Sequence, residues 1–585
     1  MKPLAAFLLL LLSTHPLAQS GPKAMSEDDK LTAYFQQELE IEFKHRPLDA
    51  TRLGDHRFDG LLDDVSAAAR KANLDRWKKR LEDMPRRIDF KKLTRPGQID
   101  FEIWQHQLKR DIWLAENTDP FAEDPRVYND YITESVYLLF TQSTAPPGDN
   151  LRNARERMKQ IPRILAAAKE NLKNPPRVIV ETAIRQNRGA ISFYEAGVFE
   201  LAGETPALSL LRDEAKQAVV ALKEYQQFLE KDLLPRAKGE WRIGKDKFAK
   251  KLELELDAGV SAAEVLKEAE EEAQRVVNEM YVIARQLWAE RFPGKTLPPD
   301  TEAGRRDTIR KVMDSVSNEH GKAEDLVKDA RRTAEEIKAF IKERDILKLP
   351  DPDRCQIIEM PEFQRGNSIA YLNPAPPLDP KAKSYYAISP PPRDWNAKRV
   401  TSYMQEYNKH MLHILTIHEA YPGHYVQLEY SNRNPSVIRR VLSSGVFAEG
   451  WAVYTEKVML DEGYGKGNLA LRLCQLKWYL RTVCNAILDY KMHCAGMTDE
   501  EALRFLIEIA FQSEGEAILK IIRAKQSSCQ LSTYFVGRMA FARLRRRVQT
   551  ERGDEFNLGR FHEACLAHGT LPVKYLPELV GGRKR

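Results

Sequence analysis

SAAEVLKEAEEEAQRVVNEMYVIARQLW, residues 261–288, decides the fold class. Its apolar residues recur at spacings of three and four, and strong helix formers fill most of the positions between them. A stretch of this kind buries one stripe and solvates the other, which predicts a long amphipathic helix. The same reading extends outward in both directions. Segments 26–42, 323–347, 403–421, 437–460, 469–494 and 499–510 all carry helical periodicity. No internal repeat or long low-complexity tract interrupts them, so the chain is expected to be mainly α.

One interval breaks the pattern. Residues 349–394 are rich in proline, with runs at 376–377 and 390–392, and they enclose two β-like stretches, Ser368-Ile369-Ala370-Tyr371-Leu372 and Ser384-Tyr385-Tyr386-Ala387-Ile388. These predict a small antiparallel ribbon just ahead of the 403–421 helix. The FPGKTLPPD stretch at 292–300 reads as a surface loop rather than a domain linker.

Composition narrows the function classes. The 585 residues are 43% hydrophobic and 30% charged, enough for a large core. Lys and Arg (91) are interspersed with Asp and Glu (85), and the net charge is only +6. No basic footprint for nucleic acid is present. Lys2, an apolar run from Leu4 to Leu12, and then Ser13, Thr14, Pro16 and Ala18 follow the order of a secretory leader, expected to span 1–19 with cleavage near Ala18. No cysteine follows that run, so no lipid anchor is expected. No later segment reaches the roughly 18 apolar residues of a membrane span. The expectation is an exported protein, periplasmic or secreted, with one catalytic domain over 20–581 and a solvated basic tail at 582–585. Its oligomeric state is not legible. Six cysteines stand at 355, 474, 484, 494, 529 and 565. They read either as buried thiols or as carrying one bridge. Within the 469–494 helix, neighbours ten residues apart lie some 15 Å from one another, too far to bridge.

The chemistry concentrates in His418-Glu419-Ala420-Tyr421-Pro422-Gly423-His424. Catalytic zinc sites use three nitrogen or carboxylate ligands and keep one position open for water. In the common pattern two His lie four apart on one helix face, with a Glu between them as general base. Here the spacing is six, and six residues of regular helix turn through about 600°, so the second imidazole would point away from the first. Pro422 and Gly423 supply a break, because proline lacks the N–H and glycine tolerates unusual dihedrals. Tyr421-Pro422 reads as a two-residue insertion, and a local bulge in the helix is expected to return His424 to the side of His418. Glu449, 25 residues beyond His424 in a second helical stretch, is the expected third ligand. Two His, a distant Glu and the Glu419 base compose the open site of a zinc hydrolase.

The segments HEAYPGHYVQ (418–427), FAEGWAVYTE (447–456), GMTDEEA (496–502), STYFVG (532–537), FHEACLAHGTLP (561–572) and PLDATRLGDHRFDG (47–60) are similar to those of the domain-of-unknown-function 885 family. The likeness runs from about residue 30 to 580. That family in turn resembles the helical gluzincin metallopeptidases, such as thimet oligopeptidase, carboxypeptidase Taq and angiotensin-converting enzyme. The resemblance implies one helical domain of two lobes around a deep cleft, a single zinc ion and a peptide substrate. The family usually shows His-His where this chain has His424-Tyr425. Position 425, seven beyond His418, would share its face on an unbroken helix, and a Tyr there leaves His424 as the ligand. Glu419 then takes a proton from the attacking water. Tyr534, or else His493, is expected to stabilise the oxyanion. Asp489 is the candidate for orienting a ligand imidazole. Arg523 and Arg538 are candidates for holding a substrate carboxylate, and Tyr371 lies on the ribbon expected to pair with an extended substrate. Two other functions fit the same residues: a zinc amidase acting on cell-wall or isopeptide substrates, and a non-catalytic exported binding protein that keeps the fold.

Overall fold

The computed structural model describes residues 25–360 and 370–581. The expected leader, the basic tail, and Ser368 and Ile369 of the first β-like stretch lie outside the described residues.

Helices dominate, and the stretch that predicted them forms the helix Ala262–Arg291. The Ser261 hydroxyl accepts from the Glu264 N–H, while the Glu264 carboxylate accepts from the Ser261 N–H. Two donors that a helix start leaves orphaned are thereby satisfied. Val265, Ala269, Ala273, Val276, Met280 and Leu287 form its buried stripe. Each of the larger ones contributes roughly 1.5–3 kcal/mol by leaving water. The stripe packs on the helix Leu469–Cys494, which is buried on most of its circumference.

Two expected helices are each split. The 403–421 segment gives Ala397–Glu406 and Lys409–Glu419. Asn408 makes the division, because its side chain accepts from the N–H groups of His410 and Met411 and so caps a new start. The 437–460 segment gives Val437–Val441 and Gly445–Asp461, with Ser444 capping the second.

The sheet is larger than the expected ribbon. Strands β1 (Cys355–Glu359), β2 (Ala370–Asn373) and β3 (Ser384–Ile388) lie in the order β1-β3-β2. β2 and β3 form the anticipated antiparallel pair, with Leu372 opposite Tyr386. β1 adds a parallel partner, with Ile357 opposite Tyr386, so the sheet is mixed. β2 is left at an edge.

Buried side chains gather into two hydrophobic cores. One is built from residues between Leu62 and Ala237 and includes Tyr128, Phe193 and Tyr225. The larger one joins the first helices to everything from Phe248 onward and contains Trp451, Tyr425 and Phe535. All six cysteines are free thiols. Among the described residues no helix is long and apolar enough to cross a membrane.

Candidate metal centre

Helix Lys409–Glu419 buries Met411, Leu412, Ile414, Leu415 and Ile417, which anchors the turn carrying His418 and Glu419. The helix then ends; the chain does not bulge within it, as the sequence had suggested. Ala420 leaves the helical region (φ −118°, ψ −80°), the Tyr421–Pro422 peptide is cis, and a new helix, His424–Asn432, begins at the second imidazole. The four intervening residues are tied down. The N–H of Tyr421 donates to the Thr416 carbonyl and that of Gly423 to Ile417. The Trp451 indole N–H donates to the Pro422 carbonyl at 2.8 Å. A β-carbon at 423 would overlap the carbonyl oxygens of Ile417 and His418, so only glycine fits the fold-back.

The two imidazoles therefore meet. Their ring centroids are 4.8 Å apart and the planes are nearly perpendicular, at 88°. A carboxylate oxygen of Glu449, from helix Gly445–Asp461, lies 3.4 Å from Nε2 of His424 and 3.8 Å from Nε2 of His418. One donor atom from each of the three falls within 4.8 Å of the others. Zinc bound tetrahedrally at about 2.0–2.2 Å needs donors separated by some 3.3–3.5 Å. The two Glu449 separations, 3.4 and 3.8 Å, are close to that, and two nitrogens with one carboxylate are a ligand set zinc takes in hydrolases. The residues fit the ion.

Neighbouring groups aim these side chains. Nδ1 of His418 lies 2.8 Å from Oε1 of Glu456, a fully buried carboxyl, leaving Nε2 to face Glu449. Burial, and then the His424 charge, lowers the His418 pKa. Burial opposes charge on His424 too, but the hydrogen bond and charge of Glu449 outweigh it, and that pKa rises. Glu449 is held below the usual carboxylate range, its burial overcome by the hydrogen bond and charge of His424.

Glu419 follows His418 directly, and its Oε2 accepts from the backbone N–H of Leu372 on β2 at 3.0 Å. Tyr534 approaches from helix Thr533–Arg552. Its hydroxyl accepts from Arg523 and from Gln530, each at 3.3 Å, which leaves its own hydrogen available to donate. Burial raises the Tyr534 pKa and keeps it protonated. The tyrosine gets close because Gly450 and Gly537 cross backbone to backbone, where a β-carbon on either would overlap the other helix. Together these groups line a cavity of about 570 Å³ that also takes in Tyr371, Arg481, Lys520 and Arg523.

Three residues expected at the site lie elsewhere. His493 lies at the C-terminal end of its helix, where Nε2 donates to the carbonyls of Ala524 and Ser527. Asp489 meets no ligand imidazole and accepts instead from the Cys529 N–H and the Ser532 hydroxyl. Arg538 is buried against Glu272 at 3.4 Å and over the Tyr479 ring. Each satisfies a buried polar group, which accounts for its presence. In turn the sequence reading missed Glu456 and Trp451. Glu456 had a signal, since it follows Glu449 by seven residues and shares its helix face two turns on.

A family model described as bacterial protein of unknown function, DUF885, matches residues 47–580. Among solved structures, a "putative lipoprotein of unknown function" from Shewanella oneidensis is 31% identical, with a TM-score of 0.79 over 94% of this chain and 99% of that one. A second "putative lipoprotein", from Colwellia psychrerythraea, is 18% identical, with a TM-score of 0.77 over 95% and 99% of the two chains. The second likeness shows the fold alone. No curated protein matches the chain.

Proposed function

The chain belongs to the bacterial DUF885 family, and on that footing we propose that it is an exported zinc-dependent peptidase that hydrolyses short peptides. The observation that carries the reading is the convergence of His418, His424 and Glu449 beside Glu419 inside one cavity. His418, His424 and Glu449 would hold the ion. When bound, zinc supplies Lewis acidity and lowers the pKa of water.

The remaining chemistry belongs to the chain's own side chains. Glu419 accepts the proton of the attacking water, and the Leu372 N–H fixes the carboxylate in place for it. Tyr534 donates its hydroxyl hydrogen to the oxygen that gains charge at the scissile carbonyl. β2, an edge strand that carries Tyr371 into the cavity, offers backbone pairing to an extended substrate, which selects peptides without reading their sequence. These roles are the ones the resemblance to the helical gluzincins implies, and two lobes around a substrate cleft belong to the same reading. Export is supported by the lipoprotein name of the Shewanella relative. A positioned base beside the ligands favours hydrolysis over binding alone, because holding a metal does not require Glu419.

The test is zinc-loaded protein incubated with a mixed peptide library beside its Glu419→Gln variant. Peptide cleavage by the first, and a loss of about 10²–10⁴-fold in the second with zinc retained, is the expected outcome. Full activity in zinc-loaded Glu419→Gln would sink the mechanism. Cleavage of cell-wall peptide but not of the library would move the substrate class to the amidase.

A further inference from the structure

A second cavity, of about 560 Å³, lies beside the metal centre and has no part in the chemistry above. Tyr407 belongs to the walls of both cavities. An ion cluster also runs between them: Arg481, on the metal side, lies 3.1 Å from Glu516 and 3.7 Å from Glu406, both on the far side. Helices Glu302–Ser317, Ala397–Glu406, Leu469–Cys494 and Glu514–Gln526 enclose the second cavity, together with the turn before the last of them.

The wall has an aromatic part. The ring centroids of Trp395 and Tyr403 are 5.6 Å apart and those of Tyr403 and Tyr407 are 4.9 Å apart, and Phe511 joins them in the lining. Arg399 lies over one face of Trp395, 3.7 Å from its centroid, and steadies the ring. The wall also holds an unsatisfied amide. Gln512 is 1% exposed, and neither its side-chain nitrogen nor its oxygen has a partner among the described residues. Burying such a group unpaired costs about 1–3 kcal/mol. Phe511, just before it, is held at φ +53°, a left-handed conformation that a bulky side chain disfavours. Strain of this kind concentrates at ligand sites. Charge, finally, is balanced: Arg310, Arg399 and Lys477 are met in the lining by Asp314, Glu406 and Glu516, with Lys477 2.9 Å from Glu406. That balance favours a neutral ligand. An extended peptide is a poor match, because helices and a turn supply the lining and no strand edge is there to pair its backbone.

We propose that this cavity binds a neutral sugar bearing an acetamido group. The apolar face of a sugar ring packs on an aromatic side chain, while a few polar groups of the wall fix its orientation. Gln512 carries one acceptor and two donors. Turned toward the cavity, it donates to the acetamido carbonyl and accepts from a neighbouring ring hydroxyl. Because Tyr407 borders the metal cavity, the sugar would form one end of a glycan-linked peptide substrate. That consequence rests on the peptidase reading; the binding itself does not.

Calorimetry on the full chain, without added zinc, compares di-N-acetylchitobiose with cellobiose, which has the same linkage and no acetamido groups. The acetylated sugar is expected to bind at least about 10-fold more tightly. Trp395→Ala and Gln512→Leu should each weaken it about 10-fold. Gln512→Leu also removes the orphaned amide, so its unfolding midpoint should hold or rise. No binding of di-N-acetylchitobiose, equal binding of cellobiose, or unchanged affinity in either variant overturns the site. So does acetyl-tetra-alanine amide that binds and loses affinity in the same two variants, which would make the cavity a peptide subsite. Failure of the peptidase reading shows separately, as an absence of cleavage by the unsubstituted zinc-loaded protein.

Discussion

Gly423 has no room for a side chain, and the site depends on it. Any β-carbon there meets the carbonyls that end the first ligand helix, so the fold-back that returns His424 to His418 must open. Gly423→Ala is expected to cost roughly 1–3 kcal/mol in denaturant unfolding, as forced overpacking does, and to lower zinc occupancy with it. Glu456 acts one step back, holding Nδ1 of His418. Glu456→Gln should weaken zinc binding about 10–100-fold in a chelator competition, with little change in fold. Trp451→Phe leaves the buried Pro422 carbonyl without its donor and should cost about 1–3 kcal/mol. At this scale the sequence was legible where residue type restricts the role. Few side chains bind zinc, so His418, His424 and Glu449 stood out. His493, Asp489 and Arg538 did not yield to the same reasoning. Their chemistry is equally suitable, but the direction each helix face points is settled by packing partners on other elements, such as Ala524 for His493, Cys529 for Asp489 and Glu272 for Arg538.

Helix placement turns these residues into a centre. Gly445–Asp461 and Thr533–Arg552 cross at Gly450 and Gly537, so closely that neither glycine can carry a β-carbon. That contact seats the helix carrying Tyr534 against the one carrying Glu449. Gly537→Ala should push the helices apart, costing roughly 1–3 kcal/mol and reducing turnover together with the loss seen in Tyr534→Phe. The latter is expected to lose about 10²–10³-fold in kcat, the usual effect of removing one oxyanion donor. Periodicity located most of the helices, because a buried stripe writes itself into the sequence. It did not locate their breaks at Asn408 and Ser444, where one capping side chain overrules a continuous apolar pattern. β1 was missed for another reason. Its parallel partner β3 lies beyond an intervening strand, and no turn signature announces a pairing at that distance.

Across the whole molecule, the PLDATRLGDHRFDG motif acts as a clasp far from the ligands in sequence. Nδ1 of His56 lies 2.9 Å from Asp59 and Nε2 lies 3.2 Å from Asp379, which belongs to the segment linking β2 to β3. Gly54, with φ +88°, lets the chain press against Pro376 and Asp379. Burial works against charge on His56, but the hydrogen bonds and charges of Asp59 and Asp379 prevail and raise its pKa. A raised histidine pKa contributes stability in full below the ordinary value of about 6.5, and the contribution is lost as pH rises through the folded-state value. Unfolding midpoints should therefore fall on the alkaline side of that range, and His56→Gln should flatten the fall. The motif was visible in the sequence as a family likeness, but its partner Asp379 was not, because 323 positions separate the two. In the proposed function one zinc ion sits among His418, His424 and Glu449. It is tested most directly by measuring zinc bound per chain after loading and desalting, for the unsubstituted protein beside His424→Ala. One zinc per chain is expected in the first and little in the second; zinc no higher than trace in the first, or undiminished in the second, would rule the centre out.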